Sequence, residues 1–302
     1  MEDMITGLCP QCGHTLHIPA ELASFSCMYC GTRLTKEQLA AEPPAAQEAD
    51  EDRAAYYDRA VSRLGWCIKN FGGYQKKIMR DVFFEAFETY ETGCAPVIQE
   101  LARGVAPERQ TQLLERAAAA MLDELEAGWQ KKGDMEDEKI VLAIFFVPMV
   151  RKQQLPISEE FVTILQKQWV ERYPKSPFYL GDYESISGGF RKKFLGLCFI
   201  TTAVCQELGK PDDCEELTAF RAFRDGYLRS QPDGEALIRE YYNIAPGIVT
   251  CINTCSDRHA SYARIREEYL APCYQDLLAG RNESCKARYV RMVRDLEREY
   301  LS

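Results

Sequence analysis

Histidine is scarce here, with 3 in 302 residues, and that scarcity narrows the chemistry open to the chain. His14 and His17 lie near the start, leaving His259 alone to serve the rest. A nucleophile that needs a histidine base therefore has one candidate, with no Asn or Asp evidently placed to orient it. Basic charge is also in deficit. Lys and Arg number 37 against 46 Asp and Glu, for a net charge of -9 and a pI near 5.1. Nonspecific nucleic-acid affinity comes from neutralising phosphates with Lys and Arg, so a nucleic-acid partner is not expected. The longest apolar run, Ile140 to Val150, has eleven residues and contains Pro148, against roughly 20 for a helix that crosses a bilayer. It reads as a buried core helix, and no membrane partner is expected. No charged-then-apolar leader precedes Cys9, which gives the expectation of a cytoplasmic protein. "SISGGF", with Gly188 and Gly189, lacks the strand and the Gly-Lys-Ser/Thr ending of a phosphate loop and reads as a turn.

Cysteine, by contrast, is abundant at 13 residues. In a reducing compartment, thiols and thiolate-bound metal are expected before disulfides. Cys9, Cys12, Cys27 and Cys30 form two Cys-x-x-Cys pairs, and four thiolates at this spacing can close a tetrahedral shell of the kind structural zinc prefers. An iron centre of rubredoxin type uses similar ligands. Gly13 and Gly31 each follow the second cysteine of a pair, where positive φ lets the chain turn about the sulfurs. Leu16 and Ile18 alternate between the pairs, predicting a short β-hairpin with one knuckle at each end. His14 or His17 as a fourth ligand is the weaker alternative. The stretch 7–34 resembles a zinc ribbon, including the transcription-factor-IIB type. A segment this small buries too little apolar surface to fold alone, so metal replaces the core, and a shell of four sulfurs leaves no open position for catalysis. Four thiolates on one divalent ion also leave about -2 of charge, unfavourable for DNA.

Residues 35–55, "TKEQLAAEPPAAQEADEDRAA", combine Ala, paired prolines and an acidic cluster, and read as a flexible tether. From Tyr56 onward the apolar spacing is helical. "RDVFFEAFETYETG" is expected to end at Gly93, "PERQTQLLERAAAAMLDELEAGWQKKG" runs from Pro107 to Gly133, and Ser158 caps "EEFVTILQKQWVERYP". The expected architecture is a mainly all-α body with a small β zinc ribbon at the N-terminus. Its segments are 1–34 (ribbon), 35–55 (linker), 56–185 (helical domain) and 186–302 (helical domain with C-terminal helices).

Residues 198–252 contain "CFITTA", "LTAFRAFRD" and "YYNIAP" in that order. This resembles the CFI-box family, a bacterial module, through Cys198 to Ala203, Leu217, Phe220 to Asp225, Tyr241, Tyr242, Ala245 and Pro246. The resemblance implies no reaction or ligand. From the residues alone, "FRKKFLGLCFITTAVCQELGK" reads as one long helix ending at Gly209, with Cys198 and Cys205 on one face. Arg221, Arg224 and Asp225 lie off the Leu217, Phe220, Phe223, Tyr227 stripe, and an Arg held there by neighbouring acids is expected in a structural ion pair, with a recognition fork for an acidic ligand as the alternative.

Cys251, Cys255 and His259 follow an i, i+4, i+8 spacing and would share a face if one helix ran through them. That would make a second metal site, although Ser256 and Asp257 favour a break. Cys198, Cys205 and Cys214 are candidate redox or metal thiols, against the plainer reading of buried apolar filler. The function expected from these features is a zinc-binding, non-catalytic adaptor whose partner is another protein. A cysteine-dependent redox sensor or enzyme is the first alternative, and a transcription-associated nucleic-acid binder the second.

Overall fold

The structure, a computed structural model, describes residues 4–11, 15–39, 50–131, 133–191 and 198–302. It divides into a unit spanning residues 1–52 and a second spanning 53–302.

The first unit is built from two antiparallel strand pairs. β1 (Met4–Leu8) pairs with β2 (Thr15–Pro19), with Ile5 opposite Ile18 and Leu8 opposite Thr15. β3 (Ser24–Ser26) pairs with β4 (Arg33–Thr35), with Phe25 opposite Leu34. Period-two alternation turns Leu16 and Ile18 inward and leaves His17 exposed. Leu16, Ile18 and Leu34 form a small core with Cys9 and Cys27. Sequence reasoning expected one hairpin with a knuckle at each end. Instead, β2 pairs back onto β1, and a turn closed by Leu22 N–H donating to Pro19 O starts a second hairpin. Of the expected tether, Lys36–Gln38 form a 3-10 turn, residues 40–49 lie outside the described residues, and α1 begins at Asp50.

The second unit is helical. α1 (Asp50–Leu64), α2 (Trp66–Lys69), α3 (Phe83–Gly104) and α4 (Gln110–Gly128) lead into α5 (Asp134–Val141) and α6 (Val147–Lys152), followed by α7 (Ser158–Arg172) and α8 (Tyr183–Arg191). The motif-bearing half comprises α9 (Phe199–Glu207), α10 (Glu215–Ala222), α11 (Gly234–Cys255), α12 (Arg258–Ile265), α13 (Ala271–Leu278) and α14 (Asn282–Tyr300). The halves on either side of residue 186 share one core. The rings of Phe83 and Phe190 stack at 4.3 Å, and α11 crosses so close to Ile78 that a β-carbon on Gly247 would lie 1.9 Å from the Ile78 carbonyl oxygen.

The apolar run from Ile140 to Val150 is the buried axis of this core, with every member at most 7% exposed among its core side chains. Pro148 sits inside it without ending it. A π-helical turn over Leu142–Phe146 precedes the proline, with Val147 N–H donating to Leu142 O, so the ladder is rerouted before the residue that lacks a donor. Pro272 repeats the device behind a π turn at Arg266–Leu270. Among the described residues, no helix is long and apolar enough to cross a membrane.

Several expected boundaries move. α3 runs through Gly93 to Gly104, because a bare Cα at 93 admits the Phe71 ring, 3.3 Å from where a β-carbon would lie. α4 stops at Gly128 rather than Gly133. Gly188 and Gly189 lie within α8 and not in a turn. Ser158 is inside the first turn of α7, its hydroxyl donating to Val150 O and accepting from Leu155 N–H. Cys198 is not helical, with φ -98 and ψ 86, and α9 starts after it. The single long helix expected through Cys198 is therefore interrupted, and residues 192–197 lie outside the described residues.

Candidate functional site

The turn after β1 carries Cys9, and the turn between β3 and β4 carries Cys27 and Cys30. The second turn is shaped by its backbone. Cys27 N–H donates to Thr32 O at 2.8 Å, Gly31 N–H donates to Cys27 O at 2.8 Å, and Gly31 adopts φ 74, a conformation strained for any residue with a β-carbon. The sulfurs of Cys9, Cys27 and Cys30 lie within 4.8 Å of one another, with Cys9 and Cys30 at 3.7 Å. A tetrahedral ion with metal–sulfur bonds of about 2.3 Å has sulfur–sulfur edges of about 3.8 Å. The three thiols therefore fit a metal with little rearrangement. Cys12, Gly13 and His14 lie outside the described residues. Cys9 and Cys27 are buried and Cys30 is exposed, with the Thr32 hydroxyl 3.2 Å from its sulfur. Once Cys30 is a thiolate, that hydroxyl becomes a donor to it, an outer contact that spacing did not announce. Between the ligand positions, Met28 and Tyr29 are 81% and 57% exposed.

The thiols of the helical unit are arranged differently. Cys251 and Cys255 are buried on the last turns of α11, which ends at Cys255, and Asp257 caps α12 by accepting from Ala260 N–H at 3.1 Å. His259 faces outward, 81% exposed and 3.4 Å from Glu207. The structure thus does not bring Cys251, Cys255 and His259 together. Burial pushes the Cys251 thiol up, and the Cys255 thiol up to about 11. Among the described residues, Cys9, Cys27 and Cys30 are the one group of three or more such side chains poised for a metal.

Cys198, Cys205 and Cys214 also do not form one cluster. Cys205 and Cys214 approach each other, sulfur to sulfur, at 3.9 Å. Cys198 joins another assembly. Arg224, in a π turn over Phe223–Tyr227, is buried; its Nη1 lies 3.6 Å from the Cys198 sulfur and donates to the Tyr242 hydroxyl at 3.1 Å. Its Nε and Nη2 grip Asp225 at 2.8 and 2.6 Å. Burial pushes the Cys198 thiol up despite the neighbouring guanidinium. Tyr241, beside Tyr242, accepts from Ile200 N–H at 2.9 Å, and its hydroxyl lies 3.4 Å from that of Tyr289, which is 3.1 Å from Thr201 Oγ1.

The three separated motif segments therefore converge, a meeting that periodicity alone did not predict. A narrow cavity of about 60 Å³ opens beside them, lined by Cys198, Phe220, Phe223, Arg224, Tyr241 and Tyr289 among others. Glu240 and Arg294, paired at 2.5 and 2.7 Å, also line it. Arg224, Tyr241 and Tyr289 each already have partners in the assembly, which gives it the character of a structural lock. No family model, curated protein or solved structure matches this chain.

Proposed function

We propose that the chain is a non-catalytic adaptor in which zinc, held by Cys9, Cys12, Cys27 and Cys30, fixes a ribbon that engages another protein. The observation that carries this reading is the meeting of three sulfurs from two separate hairpins within 4.8 Å. The five residues of the ribbon core bury little apolar surface, so ligation supplies the missing cohesion. When bound, the ion crosslinks the two turns. A shell closed by sulfur has no place for substrate. Met28 and Tyr29, large and exposed between two ligands, supply a contact surface of the kind partners bury. The resemblance of residues 198–252 to the CFI-box family is carried with this reading, as is a reducing, cytoplasmic setting. The chain's net charge of -9 weighs against the nucleic-acid alternative.

Elemental analysis of the purified chain tests the reading. One equivalent of zinc is expected, lost in the Cys9→Ser, Cys27→Ser double variant. Chelation should erase the dispersed NMR signals of residues 4–39 while helical circular dichroism persists. Iron absorption in the visible range would replace zinc with the rubredoxin-type alternative. A ribbon equally ordered after complete metal removal would defeat the reading.

A further inference from the structure

Among the described residues of the helical unit, several thiols neighbour one another, Cys251 and Cys255 on one helix and three further pairs between elements, and they differ in access. Cys67 with Cys94, and Cys273 with Cys285, are completely buried pairs. Cys205 and Cys214 lie 3.9 Å apart, and Cys214 is only half-buried. We infer that Cys205 and Cys214 are a reversible oxidation site, closing to an intramolecular disulfide by exchange with a low-molecular-weight disulfide. This inference is independent of the metal reading.

The loop between the two cysteines is already folded for closure. Gly209, at φ 67, turns the chain after α9, and Lys210 N–H donates to Cys205 O at 2.9 Å. Cys214 N–H donates to Pro211 O at 3.1 Å, so both ends of the connection are pinned. From α10, Arg221 grips the Asp212 carbonyl and carboxylate at 2.7 and 2.8 Å, and Glu216 holds Lys210 at 2.5 Å. The sulfurs need to close only from 3.9 Å to about 2.05 Å. Because the loop is ordered before the bond exists, closing it costs little additional chain entropy.

The exchange balances in two steps. The Cys214 thiolate attacks one sulfur of the small disulfide, forming a mixed disulfide and releasing one thiolate, which takes up the proton Cys214 had lost. The Cys205 thiolate then attacks the Cys214 sulfur, forming the internal bond and expelling the second small thiol, which takes the Cys205 proton. Two protein thiols are oxidised and one small disulfide is reduced to two thiols, with no net change in protons. The order of attack follows from access. Burial, then the neighbouring Cys214 and Glu216, push the Cys205 thiol up to about 12, which suits a resolving rather than an attacking thiol. Capture of Cys214 in the mixed disulfide removes one of those opposing influences.

The test treats the zinc-replete full chain with oxidised glutathione and maps peptides without reductant. The expected product links residues 205 and 214, forming at least roughly ten-fold faster than any link between Cys67 and Cys94 or between Cys273 and Cys285. Cys205→Ser should trap glutathione on Cys214, whereas Cys214→Ser should leave Cys205 unmodified. Dithiothreitol should restore both thiols. A wild-type mixed disulfide on Cys214 that never resolves, first attack at Cys205, or faster linkage at a fully buried pair would overturn the inference. Mapping of the wild-type chain decides the matter even where a serine variant fails to fold.

Discussion

The hydroxyl of Tyr241 accepts the backbone N–H of Ile200 at 2.9 Å, across 41 residues of sequence. Ile200 lies in the first turn of α9, whose opening N–H groups have no partner within the helix. A tyrosine on α11 thus performs the duty that a serine or aspartate usually performs locally, since Cys198 precedes the helix without a side-chain cap bond. Tyr241→Phe keeps the ring and removes the acceptor, leaving a buried N–H unpaired. A loss of about 1–2 kcal/mol is expected from urea unfolding. An unchanged midpoint with unchanged slope would show that the cap contributes nothing.

Asp225 gives a pH prediction. The Arg224 side chain beside it holds its carboxyl below the usual carboxylate range. A carboxyl whose folded pKa is depressed contributes stability above its unfolded value, near 3.9, and that stability is lost as pH falls through the lower folded value. Asp225→Asn should therefore destabilise the protein at pH 7 and flatten the acid limb below about pH 4. Because Asp225 is 48% exposed, solvent screens the pair, and the expected loss is about 1 kcal/mol. Parallel wild-type and variant curves through the acid range would contradict it. Urea midpoints measured at intervals from neutral to acid pH supply the comparison.

Gly247 tests the packing of α11 against the residues before α3. An added β-carbon would stand 1.9 Å from a carbonyl oxygen of Ile78 and 3.1 Å from its carbonyl carbon. Backbone cannot swing aside as a flexible side chain can. Gly247→Ala is expected to cost more than about 3 kcal/mol despite alanine's better helix propensity. A variant as stable as wild type would mean that the two segments separate readily in solution.

The helical character, the buried run from Ile140 to Val150 and the break at Ser256 and Asp257 were legible because each has a local cause: periodicity, continuous apolarity and capping chemistry. Cys9, Cys27 and Cys30 as neighbours were legible because ligand spacing encodes a turn. What escaped was non-local. Nothing near Cys198 announces that Tyr241 will cap the helix after it, or that Arg224 will lie beside its sulfur. Gly93 misled for a related reason. It admits a neighbour that approaches from elsewhere in the chain, and a sequence window cannot distinguish that role from a stop signal. The π turns that let Pro148 and Pro272 sit inside helical runs have no local signal of this kind either.

Gly31 offers the converse case, in which conformation rather than space decides. Its φ is 74, and a β-carbon there would meet nothing within 4 Å. Substitution therefore carries only the backbone cost of a left-handed residue, about 1–2 kcal/mol for alanine and less for asparagine, which tolerates that region. On the proposal that ligation drives folding of this unit, that cost should appear directly in metal affinity. Gly31→Ala is expected to weaken zinc binding roughly ten-fold in competition with a chromophoric chelator, and Gly31→Asn by less. Gly73, at φ 85 before the 3-10 turn at Tyr74–Lys77, serves as the control. Gly73→Ala should lower the stability of the helical unit and leave zinc affinity unchanged. Equal affinities for wild type and Gly31→Ala would mean that the knuckle turn at Cys27–Cys30 is not part of the metal site.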